Sequence, residues 1–111
     1  MKMKVREFIL SLPKPRLSTY NDTTRVTVYA MLMNRKPDDE VELSELLDWQ
    51  IDHVKNSIES LKSGIKKYEQ ELNQTKAKMK VRGMPPEWAD EKLREKKVWL
   101  EDYEALLRAL T

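Results

Sequence analysis

The stretch ELSELLDWQIDHVKNSIESLKSGI, residues 42–65, decides how this chain is read. It admits two incompatible descriptions. In one, residues 42–47 form a short helix, Asp48–Gln50 a tight turn, and residues 53–64 a second helix that crosses the first. In the other there is no turn, and a single long helix runs on into a coiled-coil seam. From Leu47 the apolar register is regular: Leu47, Ile51, Val54, Ile58, Leu61, Ile65, Tyr68, Leu72, Thr75 and Met79 alternate spacings of four and three. That is the a/d pattern by which one helix face meets a partner.

Downstream, the helix has a well-marked end. Lys76, Lys78, Lys80 and Arg82 oppose the negative end of the macrodipole, and Gly83 can take the left-handed conformation just past the last turn. Pro85 and Pro86 come next, and Pro86 suits the first position of a new helix, with Glu87, Asp90 and Glu91 at its positive end. In that last segment Ala89, Leu93, Leu100, Tyr103, Leu107 and Leu110 share one stripe, interrupted by Lys96 and widened by Trp99 and Leu106. Two helices joined by VRGMPPE should therefore fold back on each other as an antiparallel pair over residues 54–82 and 86–109.

Upstream the pattern is shorter. Val5, Phe8, Ile9 and Leu12 have helical spacing over residues 4–12, and Pro13 and Pro15 stop that helix. Residues 16–22 are loop-like, with Asn21 or Asp22 available as an N-cap. In TTRVTVYAMLMNR, Val26, Val28, Ala30 and Leu32 alternate like a strand while Val28, Tyr29 and Leu32 make a helical stripe, and the helix is favoured. NRKPDDE is a turn, Val41–Leu43 a candidate short strand, and Ser44 the expected N-cap of the next helix.

Composition removes many function classes. The 111 residues make one domain, or one small domain with a helical extension, and 36% charge suits helices with solvated faces. Two glycines leave no material for Gly-rich phosphate loops. The absence of cysteine excludes disulfides and thiolate zinc, and a single histidine excludes a multi-His metal site. No cofactor or metal is expected. No pair of carboxylates beside a histidine or serine forms a catalytic constellation, so the chain is not read as an enzyme. No apolar run approaches the roughly 18 residues of a membrane span. The basic-then-apolar start MKMKVREFILSLP is broken by Glu7 and too short for a signal peptide, and a cytoplasmic location is the expectation.

Charge comes in blocks. Residues 1–36 carry 8 basic and 2 acidic groups, residues 37–61 carry 1 basic and 8 acidic, and residues 62–83 carry 7 basic and 2 acidic. Such segregation suits complementary contacts between subunits, and it makes acidic residues 37–61 a candidate face for a protein partner. The two basic segments could equally hold phosphates.

Residues 24–65 resemble the DNA-binding portion of winged-helix transcriptional regulators: an opening helix TRVTVYAMLM, a turn, a VEL strand, then LSELL, DWQ and HVKNSIESLKSGI. Leu43, Leu46 and Leu47 match the first helix, Trp49 the buried turn position, and Val54, Ile58 and Leu61 the inner face of the second. The resemblance implies that Gln50, His53, Lys55, Asn56, Ser57 and Ser60 face double-stranded DNA, where Asn and Gln can pair with adenine and Lys with guanine. Lys62, Lys66, Lys67 and Arg25 would then contact phosphates. The sequence departs from the family pattern at Asp48, where a glycine is usual, and at Ile51, which continues the heptad instead.

The expected fold is therefore mainly α: a small winged-helix-like or helical unit over residues 1–65, then a long coiled-coil-like antiparallel hairpin over 66–111, continuous with the first. A hairpin alone leaves an apolar face uncovered, so a homodimer through Val98, Trp99 and Leu106 is expected. The functional expectation is a DNA-binding regulator with a helical dimerisation module; the alternative is a non-enzymatic helical coiled-coil assembly or adaptor protein. An inhibitor or modulator of a larger enzyme, binding through the acidic block, is a third.

Overall fold

The computed structural model describes residues 1–111. It begins with a strand, β1 (Lys2–Lys4), that runs directly into helix α1 (Val5–Ser11). β1 pairs antiparallel with β2 (Glu40–Glu42), placing Lys2 opposite Glu42, Met3 opposite Val41 and Lys4 opposite Glu40. Opposite charges thus flank a central apolar pair, the arrangement that stabilises a two-stranded ribbon. The ladder is extended by Leu43 N–H donating to Met1 O (2.9 Å) and Val5 N–H donating to Asp39 O (3.0 Å). The expected helix over residues 4–12 is shortened by this pairing, which the sequence pattern alone does not signal.

Pro13 and Pro15 carry the chain away from α1 into a loop. Helix α2 (Asp22–Leu32) then opens at Asn21, whose side chain accepts a 2.8 Å hydrogen bond from Thr24 N–H. It closes at Asn34, the only non-glycine residue with positive φ (57°). Arg35 N–H reaches back to Ala30 O (2.9 Å) and Asn34 N–H to Met31 O (3.0 Å), a Schellman closure that satisfies two end carbonyls.

Helix α3 (Leu43–Gln70) is continuous, so the tight turn considered at Asp48–Gln50 is not formed. No residue from Leu43 to Ser63 favours left-handed backbone strongly enough to stop the helix, and the apolar register continues through Ile51. Nor does Ser44 act as the cap; Glu42 holds that position, two residues earlier, and Leu43 N–H is bonded across the strand ribbon to Met1 O. The boundary drawn at residue 65 therefore lies inside α3. One irregular residue, Glu71 (φ −98°, ψ 2°), separates α3 from α4 (Leu72–Val81). The ladder persists across it, with Glu71 N–H on Lys67 O (3.1 Å) and Thr75 N–H on Glu71 O (2.9 Å).

At the far end Gly83 takes φ 72°, Met84 N–H bonds Met79 O (2.9 Å) and Gly83 N–H bonds Lys80 O (3.1 Å), the same closure as at Asn34. Pro86 is already helical in its angles, and α5 (Glu87–Leu110) returns antiparallel to α3 and α4. The expected hairpin is present. Lys76 Nζ to Asp90 Oδ2 (2.8 Å) ties its distal end.

Two cores hold the molecule. Val5, Phe8, Ile9, Val26, Ala30, Val41 and Leu46 form the N-terminal one, drawing on every element from α1 to α3. Val54, Ile58 and Leu106 join α3 to α5, with Leu12 of the post-α1 segment packed against them. Beyond Ile65 the hairpin has only one partner helix per face. The outline is accordingly elongated, 56 × 26 × 20 Å, and the radius of gyration is 17.4 Å. A compact chain of this length would have about 13 Å.

Candidate functional site

The residues that the resemblance assigns to a DNA-facing surface are divided by the fold. Gln50 cannot reach a base edge: it is 2% exposed, because Leu46, Gln50 and Val54 fall at four-residue spacing on the buried stripe of α3. Its Oε1 is buried without a hydrogen-bond partner. Arg25 is also buried, and its guanidinium Nη2 donates to Ile9 O (3.3 Å) and Leu12 O (3.0 Å). It therefore supplies a donor to Leu12 O at the end of α1 and a second one to Ile9 O, which already accepts from Leu12 N–H; with Asp22 3.6 Å from Nη1, it is not available to a phosphate.

His53 and Ser57 are half-buried. The His53 ring stacks on Trp49 (4.8 Å between centroids, 8° between planes) and meets Tyr29 edge-on (5.9 Å). Burial holds its pKa below the usual histidine value, favouring the neutral ring. Ser57 Oγ donates to His53 O (2.8 Å), turning its hydroxyl back into its own helix. Lys55, Asn56, Ser60, Lys62, Lys66 and Lys67 are exposed. They lie on two adjacent stripes of α3, interleaved with exposed Glu59 and, near Lys55, Asp52.

The expected dimer face is likewise rearranged. Leu106 is 8% exposed and packs within its own chain on Val54 and Ile58, so it is a core residue and not part of an uncovered face. Val98 and Trp99 are half-buried, and Trp99 stacks against Tyr103 at 6.1 Å.

Where the N-terminal unit meets α5, the Pro13–Tyr20 loop is clamped by Arg16. Its backbone N–H and Nε donate to the two Asp102 carboxylate oxygens (both 2.9 Å), and its Nη2 donates to Glu101 Oε2 (3.0 Å). The hydrogen bonds to Glu101 and Asp102 raise the guanidinium pKa further. Behind this loop is a cavity of about 290 Å³, with Gln50, Arg25, Tyr29, Trp99, Tyr103 and Leu106 in its walls. Burial, with the neighbouring Tyr29 phenol, pushes the Tyr103 pKa up to about 12.

At the distal tip, Val81, Met84 and Trp88 are 87%, 39% and 54% exposed. Met84 and Trp88 line a groove of about 430 Å³ that also takes in Lys78, Arg82 and Lys92, none of which forms an ion pair within the chain. The sequence marks Lys78 and Arg82 only as the basic end of a helix and leaves Trp88 outside the apolar stripe of the last segment, so this cluster is not apparent there. The available signal was the run Val81–Trp88, where three large apolar residues surround the Gly83 turn that no other element covers. No helix of the chain is long and apolar enough to cross a membrane. Comparison with protein-family models, with curated proteins and with solved structures gives no match.

Proposed function

We propose that this chain is a non-enzymatic helical assembly or adaptor element that docks through the distal tip of its hairpin. The observation that carries this reading is the exposed trio Val81, Met84 and Trp88 among the unpaired cations Lys78, Arg82 and Lys92. Large apolar side chains beside Arg are the composition of binding hot spots, and a helical arm in a molecule 56 Å long holds them away from the N-terminal unit. The occupant is a second copy. Asp48, Asp52 and Glu59 are exposed along α3 without an ion pair in the chain, and they supply the opposite charge at the other end. A tip set on such a flank is a heterologous contact, which adds copies head to tail instead of closing a symmetric pair.

Light scattering tests the reading. The wild-type protein should exceed the monomer mass at tens of micromolar or so, and fall back as salt screens the charges. Trp88→Ser and the charge reversal Lys78→Glu/Arg82→Glu/Lys92→Glu should each shift the equilibrium toward monomer. A wild-type monomer at every concentration and salt would sink the proposal. The exposed Lys55, Asn56, Ser60, Lys62, Lys66 and Lys67 keep double-stranded DNA as the second reading. Salt-dependent retardation of duplex DNA, weakened by Asn56→Ala on one preferred sequence and by Lys66→Ala on all, would favour that reading instead.

A further inference from the structure

Resting on the docking role of the tip, we infer that its receiver is the open groove between α3 and α5 of the next copy, with Trp88 seated against Asn56 and Ser60 on one wall and Trp99 and Tyr103 on the other. The groove measures about 560 Å³. Its α3 wall is low, because Ser57, Ser60 and Gly64 share one stripe at three- and four-residue spacing. A Cβ placed on Gly64 would meet nothing within 4 Å, so the groove runs on unobstructed past Ser60. Within one chain the tip cannot reach this place. The helical arm from Ser60 to Lys78 holds the two about 27 Å apart, at 1.5 Å per residue.

The groove answers the tip in both shape and charge. A buried indole needs apolar surface for its rings and one acceptor for its N–H. Leu61, Trp99 and Tyr103 offer the first, each half-buried with a face toward the groove. Asn56 and Ser60 offer the second, since both are exposed and neither side chain is hydrogen-bonded within the chain, whereas Ser57 Oγ is already turned to His53 O. Asp52 and Glu59 neighbour Asn56 on the helix surface, four residues back and three on, and Glu95 precedes Trp99 by one turn of α5. These three exposed carboxylates form no ion pair in the chain and would meet Lys78, Arg82 and Lys92. Lys55, Lys62 and Lys66 project from the opposite side of α3, and burial keeps the His53 ring neutral, so neither repels the incoming cations. One aromatic anchor in a charged rim falls below the roughly 1,200 Å² of a standard interface, so the contact is weak and salt-sensitive.

Two half-disabled chains test the pairing. Ser60→Trp fills the groove from an exposed mid-helix position and leaves the tip intact; Trp88→Ser removes the anchor and leaves the groove intact. Each should weaken self-association about thirtyfold in light scattering, the scale of one hot-spot aromatic, with unchanged far-ultraviolet circular dichroism. Mixed one to one, they should form a dimer that grows no further, because only one tip and one groove remain. With the Trp88→Ser chain ¹⁵N-labelled, adding the unlabelled Ser60→Trp chain should shift the Asn56 side-chain amide and the Trp99 N–H. Should Ser60→Trp fail to fold, Asp52→Lys/Glu59→Lys takes its place. That variant and Lys78→Glu/Arg82→Glu/Lys92→Glu should each associate poorly alone and recover assembly when mixed. Undiminished association of the groove variants, with the tip variants monomeric, would overturn the groove and leave tip docking standing. Mixtures that stay monomeric, or shifts elsewhere on the chain, would overturn the groove as well. A wild-type monomer at every concentration would remove both.

Discussion

Leu106→Ala separates an intramolecular core from an intermolecular face. Leu106 reaches from α5 onto Val54 and Ile58 of α3 and is 8% exposed. Truncation removes three carbons, about 2.4 kcal/mol at roughly 0.8 kcal/mol per buried methylene. A residual-cavity contribution raises the cost to about 3 kcal/mol. That contribution stays modest because Leu106 already borders the 290 Å³ cavity, so part of its volume merges with space that exists. For 111 residues, an unfolding entropy of about 2.1 cal/mol/K per residue converts this to a fall in Tm of about 13 °C. Thermal denaturation followed by circular dichroism reads it directly. Because the partners lie in the same chain, the shift should be the same across about a twentyfold range of protein concentration. A shift below about 2 °C would refute the packing, and one that grows on dilution would return Leu106 to a subunit interface.

Other outcomes rest on the same structure. His53, whose folded pKa is depressed below 6.5 by burial, binds its proton more readily when unfolded. Its contribution to stability is therefore intact above pH 6.5 and lost as pH falls from there toward the folded pKa; an NMR titration of the ring that gives 6.5 or higher would contradict this. Tyr103, raised to about 12, favours the folded state below pH 10 and loses that contribution as pH climbs toward 12. An absorbance titration should show one of the four tyrosines ionising late, and four ordinary titrations would count against its burial. The two glycines should respond with opposite signs. Gly83→Ala is strained at φ 72° and should cost about 1 kcal/mol, whereas Gly64→Ala, exposed in mid-helix, should gain about 0.5–1 kcal/mol in chemical denaturation.

The hairpin was legible because its signals are local and redundant. The heptad from Leu47 to Met79, the basic last turn, Gly83 and the Pro85–Pro86 restart all specify the same two helices. The β1–β2 pairing was not, since two three-residue strands some 38 residues apart carry no periodic pattern and depend on tertiary closure. Gln50 illustrates a subtler loss. The heptad puts Leu47 and Ile51 on the seam, yet the first turns of α3 pack against α1 and α2 as well as α5. The buried stripe there becomes Leu46, Gln50 and Val54, while Leu47 and Ile51 are half-buried. The four-residue spacing of Gln50 from both neighbours was the available clue. Arg25 had no comparable clue, because its partners are main-chain carbonyls of α1 brought close only by the loop between the helices. In α2 the packing likewise favours Val26 and Ala30, leaving Leu32 of the expected stripe 55% exposed.

The fold turns on α3 running unbroken from Leu43 to Gln70, because that continuity buries Gln50 and leaves no tight turn to set a second helix at an angle. Backbone ¹³C chemical shifts of residues 46–52 measure it most directly. Uniformly helical shifts through Asp48, Trp49 and Gln50 are the predicted result. Extended or left-handed shifts at any of those three, flanked by helix on both sides, would contradict it and restore the two-helix reading of this segment.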